Sequence, residues 1–95
     1  MSSLSEIIIE MPELFSVEEA GQFREEVRNY ILGGHSSFLL DFGTCRFIDS
    51  TGLGVIVSSY KKCVETGGTI RLTGMNDNVR KIFELTRLTH VFEII

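Results

Sequence analysis

The sequence predicts a single α/β domain in which helices are wound around a mainly parallel four-stranded sheet. Its 95 residues are enough to form one hydrophobic core but not two. Short apolar runs alternate along the chain with longer segments in which apolar residues recur at every third or fourth position. Because predicted strands alternate with predicted helices, consecutive strands are expected to be parallel and joined by right-handed crossovers.

The first strand is predicted over residues 6–11, where three consecutive isoleucines precede Pro12. The first helix is predicted to begin after Ser16, because Glu19 follows it at the spacing of a capping box. The glycine pair at positions 33 and 34 is expected to end this helix. Its inward-facing residues are predicted to be Val17, Ala20, Phe23, Val27, Tyr30 and Ile31.

The second strand is predicted over residues 37–42. It contains Phe38, Leu39 and Leu40, an almost continuous apolar run that is typical of a strand covered on both faces. Asp41 lies near the end of this run and is expected to be exposed or to form a turn. Gly43 then begins the connection to the next element.

A second helix is predicted to follow this connection and to end at the glycine pair at positions 67 and 68. A third strand is predicted over residues 69–73, because polar and apolar residues alternate there as in a half-exposed strand. The inward-facing residues of the helix are predicted to be Leu53, Ile56, Val57, Tyr60 and Val64.

A third helix is predicted to be capped by Asn76 or Asp77, and a last strand is predicted over residues 91–95. Arg87 and Leu88 are expected to lie in the turn between these two elements. The helix is predicted to bury Val79, Ile82 and Phe83. With this element, the chain as a whole is predicted to form one α/β domain over residues 1–95.

Charge and hydropathy exclude several classes of function. The net charge of −4, without a basic cluster, predicts no nucleic-acid partner. No run of eighteen apolar residues is present, so no direct insertion into a membrane is expected. The first six residues lack the features of a secretory signal. Cys45 and Cys63 are interpreted as free thiols in a reducing cytoplasm, where we expect the protein to act.

The sequence offers little support for catalysis. Ser50 or Thr51 would need an adjacent base to act as a nucleophile, and the two histidines, His35 and His90, lie in distant predicted turns. The serine elbow of hydrolases is absent, and the glycines of residues 52–54 supply only half of a dinucleotide-binding motif. No residues have the spacing of metal ligands. We therefore expect no enzymatic activity, no cofactor and no metal.

Residues 47–54, Phe-Ile-Asp-Ser-Thr-Gly-Leu-Gly, form the most informative stretch of the chain. They deliver Asp49, Ser50 and Thr51 to a predicted helix N-terminus, where unpaired N–H groups and the helix dipole favour an anion. That anion can be a ligand phosphate or a phosphate attached to one of these hydroxyls. The same residue types are also ordinary N-caps, so simple capping is the alternative interpretation.

This stretch resembles the signature of STAS domains, and among them most closely that of the bacterial anti-sigma factor antagonists. Asp49-Ser50-Thr51-Gly52-Leu53-Gly54 matches the Asp-Ser-Ser/Thr-Gly-Leu-Gly motif of that family position by position. The likeness covers residues 36–95 well and the first third of the chain loosely. Near the N-terminus, Glu13 and Leu14 match the family's Gly-Glu-Leu/Ile-Asp motif, but Phe15 replaces its acidic residue. Phe15 is interpreted either as a core residue or as part of a binding surface.

The resemblance implies a STAS-like domain that acts by partner switching in transcription regulation. In this scheme the unphosphorylated domain binds an anti-sigma factor that is also a serine kinase, and so releases the sigma factor. The kinase then phosphorylates the serine after the signature Asp, here Ser50, and the complex dissociates until a serine phosphatase resets it. Thr51 is a second candidate acceptor. The resemblance further implies that the partner is bound by Asp49, Thr51, Gly52, Leu53 and Gly54.

A second function from another class remains open at this point. A STAS domain can also be a docking subunit of a membrane transport system for lipids or anions. In that case the same helix would be a constitutive binding face, and Ser50 would be part of its N-terminus without being phosphorylated. A kinase-type anti-sigma factor gene beside this one would favour the first function, and a permease gene would favour the second.

Overall fold

A four-stranded parallel sheet carries the fold, and a separate parallel sheet has two strands. The computed structural model describes residues 6–95; the prediction about a secretory signal concerns mainly residues 1–5, which lie outside this part. The elements in chain order are β1 Ile7–Glu10, β2 Leu14–Phe15, α1 Val17–Leu32, β3 Ser37–Asp41, β4 Phe47–Ile48, α2 Ser50–Glu65, β5 Thr69–Thr73, α3 Asp77–Leu85, a 3-10 turn Leu88–His90, and β6 Glu93–Ile94. The strands of the main sheet lie in the order β1-β3-β5-β6, and β2 pairs with β4 in the small sheet.

The predicted fold class is confirmed, since helices alternate with the parallel strands of the main sheet. One face of this sheet forms the floor of the hydrophobic core. Its side chains are aligned by the strand register, which pairs Ile9 with Leu40 and Leu40 with Leu72. All three are buried. The phenylalanines at positions 23, 38, 83 and 92 are buried as well.

The other face of the sheet corrects one prediction. The strand over residues 37–42 was expected to be covered on both faces, but its burial alternates and Leu39 stays partly exposed. Ile8, which is in register with Leu39, is 66% exposed. A continuous apolar run is therefore misleading here, because only Phe38 and Leu40 point into the core.

Glu6 and Arg71 form a bidentate ion pair on this exposed face of the main sheet. Arg71 donates from Nε to one oxygen of Glu6 at 2.8 Å, and from its terminal nitrogen to the other at 2.7 Å. Both side chains are less than a third exposed. The hydrogen bonds from Arg71 hold the pKa of the Glu6 carboxyl below its ordinary value.

Replacing Glu6 with glutamine is expected to lower the free energy of unfolding by about 1 kcal/mol at pH 7. Because the pKa of Glu6 is lower in the folded state, its stabilisation is complete above the ordinary value of 4.5 and is lost as the pH falls through the lowered value. Urea unfolding at several pH values measures this. Glu10→Gln, at an exposed position of β1, is the control. A deficit of Glu6→Gln that persisted at low pH would contradict the expectation.

The first helix has the predicted capping box, in which a side-chain oxygen of Glu19 accepts a hydrogen bond from the backbone N–H of Ser16 at 3.3 Å. Ala20, Phe23 and Val27 are buried as predicted. Val17 was also predicted to face the core, but it is exposed. Val17 is the first residue of α1, and the residues of this helix that are buried in the core begin at Ala20.

The second helix is rotated relative to the prediction. Of the five residues expected to face inward, Ile56 is fully buried, whereas Leu53, Val57 and Tyr60 are only partly buried and Val64 is exposed. The buried face consists of Gly52, Val55, Ile56, Ser59 and Cys63. Small residues thus face the core where α2 packs against its neighbours, and the bulkier apolar residues lie on its flank. Cys63 is fully buried as a small packing residue, and burial raises the pKa of its thiol to about 11.

The two-stranded sheet was not predicted, because two residues per strand are too few to show a period. It pairs Leu14 with Phe47 and Phe15 with Ile48. Phe15 is fully buried and meets the ring of Phe23 edge-on at 5.4 Å between centroids. Of its two interpretations, the core residue is therefore the correct one.

At the C-terminal end, Val79 and Phe83 of α3 are buried as predicted, Ile82 is partly buried, and Asn76 is the N-cap. The last strand is shorter than predicted, spanning only Glu93–Ile94. The residues before it form the 3-10 turn, which Arg87 enters with a left-handed φ of 63°. This turn brings Leu88 back against the core.

Candidate functional site

The candidate site lies where β4 ends and α2 begins. Asp49 is the N-cap of α2, and its side-chain Oδ1 accepts a hydrogen bond from the backbone N–H of Gly52 at 2.8 Å. Simple capping is thus the role of Asp49. Ser50 is the first residue of the helix itself, so its hydroxyl is not used as the cap.

Two backbone N–H groups at this helix start have no partner among residues 6–95. The N–H of Asp49 donates to the carbonyl of Phe15, that of Gly52 to the Asp49 side chain, and that of Leu53 to the carbonyl of Asp49. The N–H groups of Ser50 and Thr51 remain. Apart from the N-cap Asp49, the first turn of α2 contains no acidic residue that opposes the helix dipole. The N–H groups of Ser50 and Thr51 are therefore left open beside the two hydroxyls.

The predicted site residues divide into an outward and an inward set. Ser50, Thr51 and Gly54 are exposed, and Asp49 and Leu53 are partly exposed. Gly52 is buried, and a Cβ atom at this position would lie 2.5 Å from the carbonyl oxygen of Phe15 and 2.6 Å from its ring. Gly52 was predicted to bind the partner, but the fold turns it inward, where it allows α2 to pack closely on β2.

A groove runs along α2 beside Ser50, and we call it the α2 groove. It has a volume of about 370 Å³ and extends from Ser50 to Lys61, a distance of about 16 Å along the helix. Its walls are mostly apolar. They are formed by Ser50, Leu53, Gly54, Val57, Ser58, Lys61 and Leu88.

Four residues of the α2 groove were not predicted to belong to the site: Val57, Ser58, Lys61 and Leu88. Val57 and Lys61 follow Leu53 at intervals of four residues, so helical periodicity offered a signal for both. Leu88 comes from the 3-10 turn, more than thirty residues away in the chain. Nothing in the local sequence links it to Ser50.

A second surface lies on the β4 side of Asp49. Leu14 and Phe47, paired across β2 and β4, are 54% and 49% exposed. Beside them Arg46 and Glu13 form an exposed ion pair at 3.2 Å. Asn76, the N-cap of α3, donates from Nδ2 to the carbonyl of Cys45 at 3.2 Å and so holds α3 against this loop. Two large apolar side chains at the surface mark a place where a partner can gain by burying them.

Neither histidine lines the α2 groove. His35 follows α1, and His90 ends the 3-10 turn that also contains Leu88. Within residues 6–95, no group of three or more His, Cys, Asp and Glu side chains is placed to hold a metal ion. In the same part of the chain, no helix is long and apolar enough to cross a membrane.

Comparison with known sequences links the whole described fold to one family. The family model described as the STAS domain matches residues 3–95. A Thermotoga maritima protein provisionally assigned as an anti-sigma factor antagonist is 30% identical over 93 residues, which cover 96% of this chain and 82% of the relative. The anti-sigma-B factor antagonist of Bacillus subtilis is 33% identical over 48 residues, or 50% of this chain and 44% of that protein.

Solved structures show the same architecture. The crystal structure of the Thermotoga maritima protein has a TM-score of 0.84 at 27% identity, covering 97% of this chain and 81% of that chain. The anti-sigma factor antagonist SpoIIAA in its unphosphorylated form has a TM-score of 0.78 at 18% identity, covering 100% and 83%. A sulfate transporter family protein from Wolinella succinogenes has a TM-score of 0.72 at 16% identity, covering 99% and 79%. The last two likenesses concern the fold alone.

Proposed function

This chain belongs to the STAS domain family, and we propose that it is an anti-sigma factor antagonist switched by phosphorylation of Ser50. The names of its relatives support the role of an antagonist that binds an anti-sigma factor, but not the phosphorylation switch. The observation that carries the switch is local: an exposed hydroxyl at the open positive end of α2 borders an apolar groove.

In the unphosphorylated state, the α2 groove is the proposed docking surface for the anti-sigma factor. Leu53, Val57 and Leu88 offer apolar area that is only partly buried within this chain. Burying such area in an interface contributes about 25 cal/mol per Å² before the costs of association are subtracted. The exposed pair of Leu14 and Phe47 extends this surface past Asp49.

Phosphorylation of Ser50 adds roughly two negative charges and three acceptor oxygens at the edge of the groove. Within this chain, the phosphate finds the unpaired N–H groups of Ser50 and Thr51 and the positive end of the helix dipole. A partner docked in the α2 groove meets the new charge next to Asp49. The modification is therefore tolerated by the fold and opposed by the interface, as a partner switch requires.

The proposed partners are an anti-sigma factor with serine kinase activity, which both binds and phosphorylates the chain, and a serine phosphatase that resets it. Thr51 is the second candidate acceptor, because its side chain is exposed one residue further along the helix. In this proposal the chain acts in the cytoplasm, performs no catalysis and influences transcription only through its partner.

The alternative function, a docking subunit of a transport system, is favoured by one observation. Phe15 stands where the family keeps an acidic residue, and its side chain is fully buried. The nearby Glu13 forms the exposed ion pair with Arg46. Position 15 therefore lacks the carboxylate that the family motif has there, and Glu13 is engaged by Arg46. The apolar α2 groove remains available to any partner.

Intact mass spectrometry tests the proposed switch. The chain is incubated with ATP and the kinase-type anti-sigma factor of the source organism, as wild type, Ser50→Ala and Thr51→Ala. We expect one added phosphate on wild type and Thr51→Ala, and none on Ser50→Ala. A phosphate that persists on Ser50→Ala and is lost from Thr51→Ala would move the switch to Thr51. If wild type gains no phosphate, the switch is refuted and the docking subunit is favoured.

A further inference from the structure

A small basic cavity lies between α1 and α2, on the side of α2 that faces α1. Its volume is about 260 Å³. Its walls are formed by Arg24, Val27, Arg28, Ser58, Ser59 and Lys62. Only Ser58 is shared with the α2 groove, so this cavity is distinct from the proposed docking surface.

The charge of this cavity is unusual for the chain that carries it. Three cationic side chains line it and no carboxylate does, although the net charge of the chain is −4. Arg24 and Arg28 are four residues apart on one helix, a spacing at which like charges repel. Arg28 is only weakly compensated, by an exposed contact with Glu25 at 3.6 Å. Lys62 and Arg24 form no ion pair within residues 6–95.

An unpaired hydroxyl lies among these cations. Ser59 is only 3% exposed and is the single polar residue that is buried among residues 6–95. Its hydroxyl has no hydrogen-bond partner in this part of the chain, whereas the hydroxyl of Ser58 donates to the carbonyl of Val55 at 3.1 Å. The Ser59 oxygen is not sealed from solvent, because among residues 6–95 the buried polar side-chain atom without a partner is Nδ1 of His35. It therefore opens to the cavity that the cations border, where it can donate to a ligand.

We propose that the basic cavity binds a tetrahedral oxyanion, either free phosphate or a phosphate monoester. Arginine recognises such oxyanions with paired N–H donors, and lysine adds a point charge. Ser59 donates its free hydroxyl to one oxygen, and Val27 lies against the small organic part of a monoester. The volume is below the range of about 300 to 1,000 Å³ for drug-sized ligands, which favours a small anion. This proposal does not depend on phosphorylation of Ser50.

An NMR titration of the isotope-labelled, unphosphorylated chain tests the site. Inorganic phosphate and glycerol 3-phosphate are added separately, and sodium chloride at matched ionic strength is the reference. We expect saturable shifts of the amide signals of residues 58–62 with one or both phosphates and none with chloride. If only glycerol 3-phosphate saturates, the ligand is a monoester; if both saturate equally, the phosphate group alone is recognised.

A matched pair of lysine variants decides whether the cavity is responsible. Lys62→Gln is expected to weaken phosphate binding roughly tenfold, because it removes a charge-assisted contact. Lys61→Gln removes the same charge from the next residue, which lines the α2 groove instead, and is expected to leave binding within about twofold. Ser59→Ala is expected to weaken binding severalfold, with thermal unfolding as a check that each variant is folded.

Two results would overturn the proposal. One is a set of shifts that chloride reproduces, which would make the effect general screening. The other is equal weakening by Lys61→Gln and Lys62→Gln, which would show that only the overall charge matters. Neither result bears on the proposed switch at Ser50, because no kinase or partner is present in this experiment.

Discussion

Gly52→Ala is expected to lower the free energy of unfolding by about 3 kcal/mol, at the upper end of what overpacking costs. The added Cβ would stand 2.5 Å from the carbonyl oxygen of Phe15 and 2.6 Å from its ring. That carbonyl cannot move away easily, since it accepts a hydrogen bond from the N–H of Asp49. The start of α2 must therefore shift or the pairing of β2 must open. Urea unfolding followed by circular dichroism measures the loss.

Gly54→Ala is the matched control, two residues along the same helix. A Cβ atom at Gly54 meets nothing within 4 Å, so only helix propensity changes. Alanine is better than glycine in a helix by about 1 kcal/mol, and this variant is expected to be more stable than wild type by up to that amount. If both variants changed stability in the same direction, close packing would not be the reason for the glycine at position 52.

Val57→Asp is expected to weaken binding of the unphosphorylated chain to its anti-sigma factor by roughly 100-fold or more, since a carboxylate that replaces an apolar contact in a buried interface must lose its hydration, at a cost of several kcal/mol. Val57 lines the α2 groove and is only partly buried within the chain. The substitution therefore places a carboxylate in the proposed interface without entering the core. Isothermal titration calorimetry with the purified anti-sigma factor measures the effect.

Val64→Asp makes the same chemical change two turns further along α2, outside the groove, at an exposed position. We expect its affinity to stay within about threefold of wild type, because a distant surface charge is largely screened. Equal losses for both variants would place the interface along the whole helix. An unchanged affinity of Val57→Asp would remove the α2 groove from the interface and turn attention to Leu14 and Phe47.

Phe15 links the core to the candidate site. Its ring is buried against Phe23, its carbonyl accepts from the N–H of Asp49, and the same carbonyl is the close neighbour of Gly52. The position of the helix start that carries Ser50 therefore depends on a residue of β2. This is the position where the sequence departs from the family motif, which retains an acidic residue there.

The fold class, the alternation of the main-sheet strands with helices, the capping box of α1 and the N-terminus of α2 were all predictable from sequence. Each depends on residues close together in the chain: the spacing of Ser16 and Glu19, the isoleucine run of β1, and the cap at Asp49 before a helical period. The signature around Ser50 also identified the family, because its residues are contiguous.

Only the tertiary structure decided which side of α2 meets the core and which face of the main sheet stays open. It rotated α2 so that Gly52, Ser59 and Cys63 face inward, and it left one face of the main sheet open at Ile8. It also brought Leu88 to the groove beside Ser50. Local periodicity records which residues share a face, whereas contact between distant segments depends on the shape and volume of side chains that the chain brings together only when it folds.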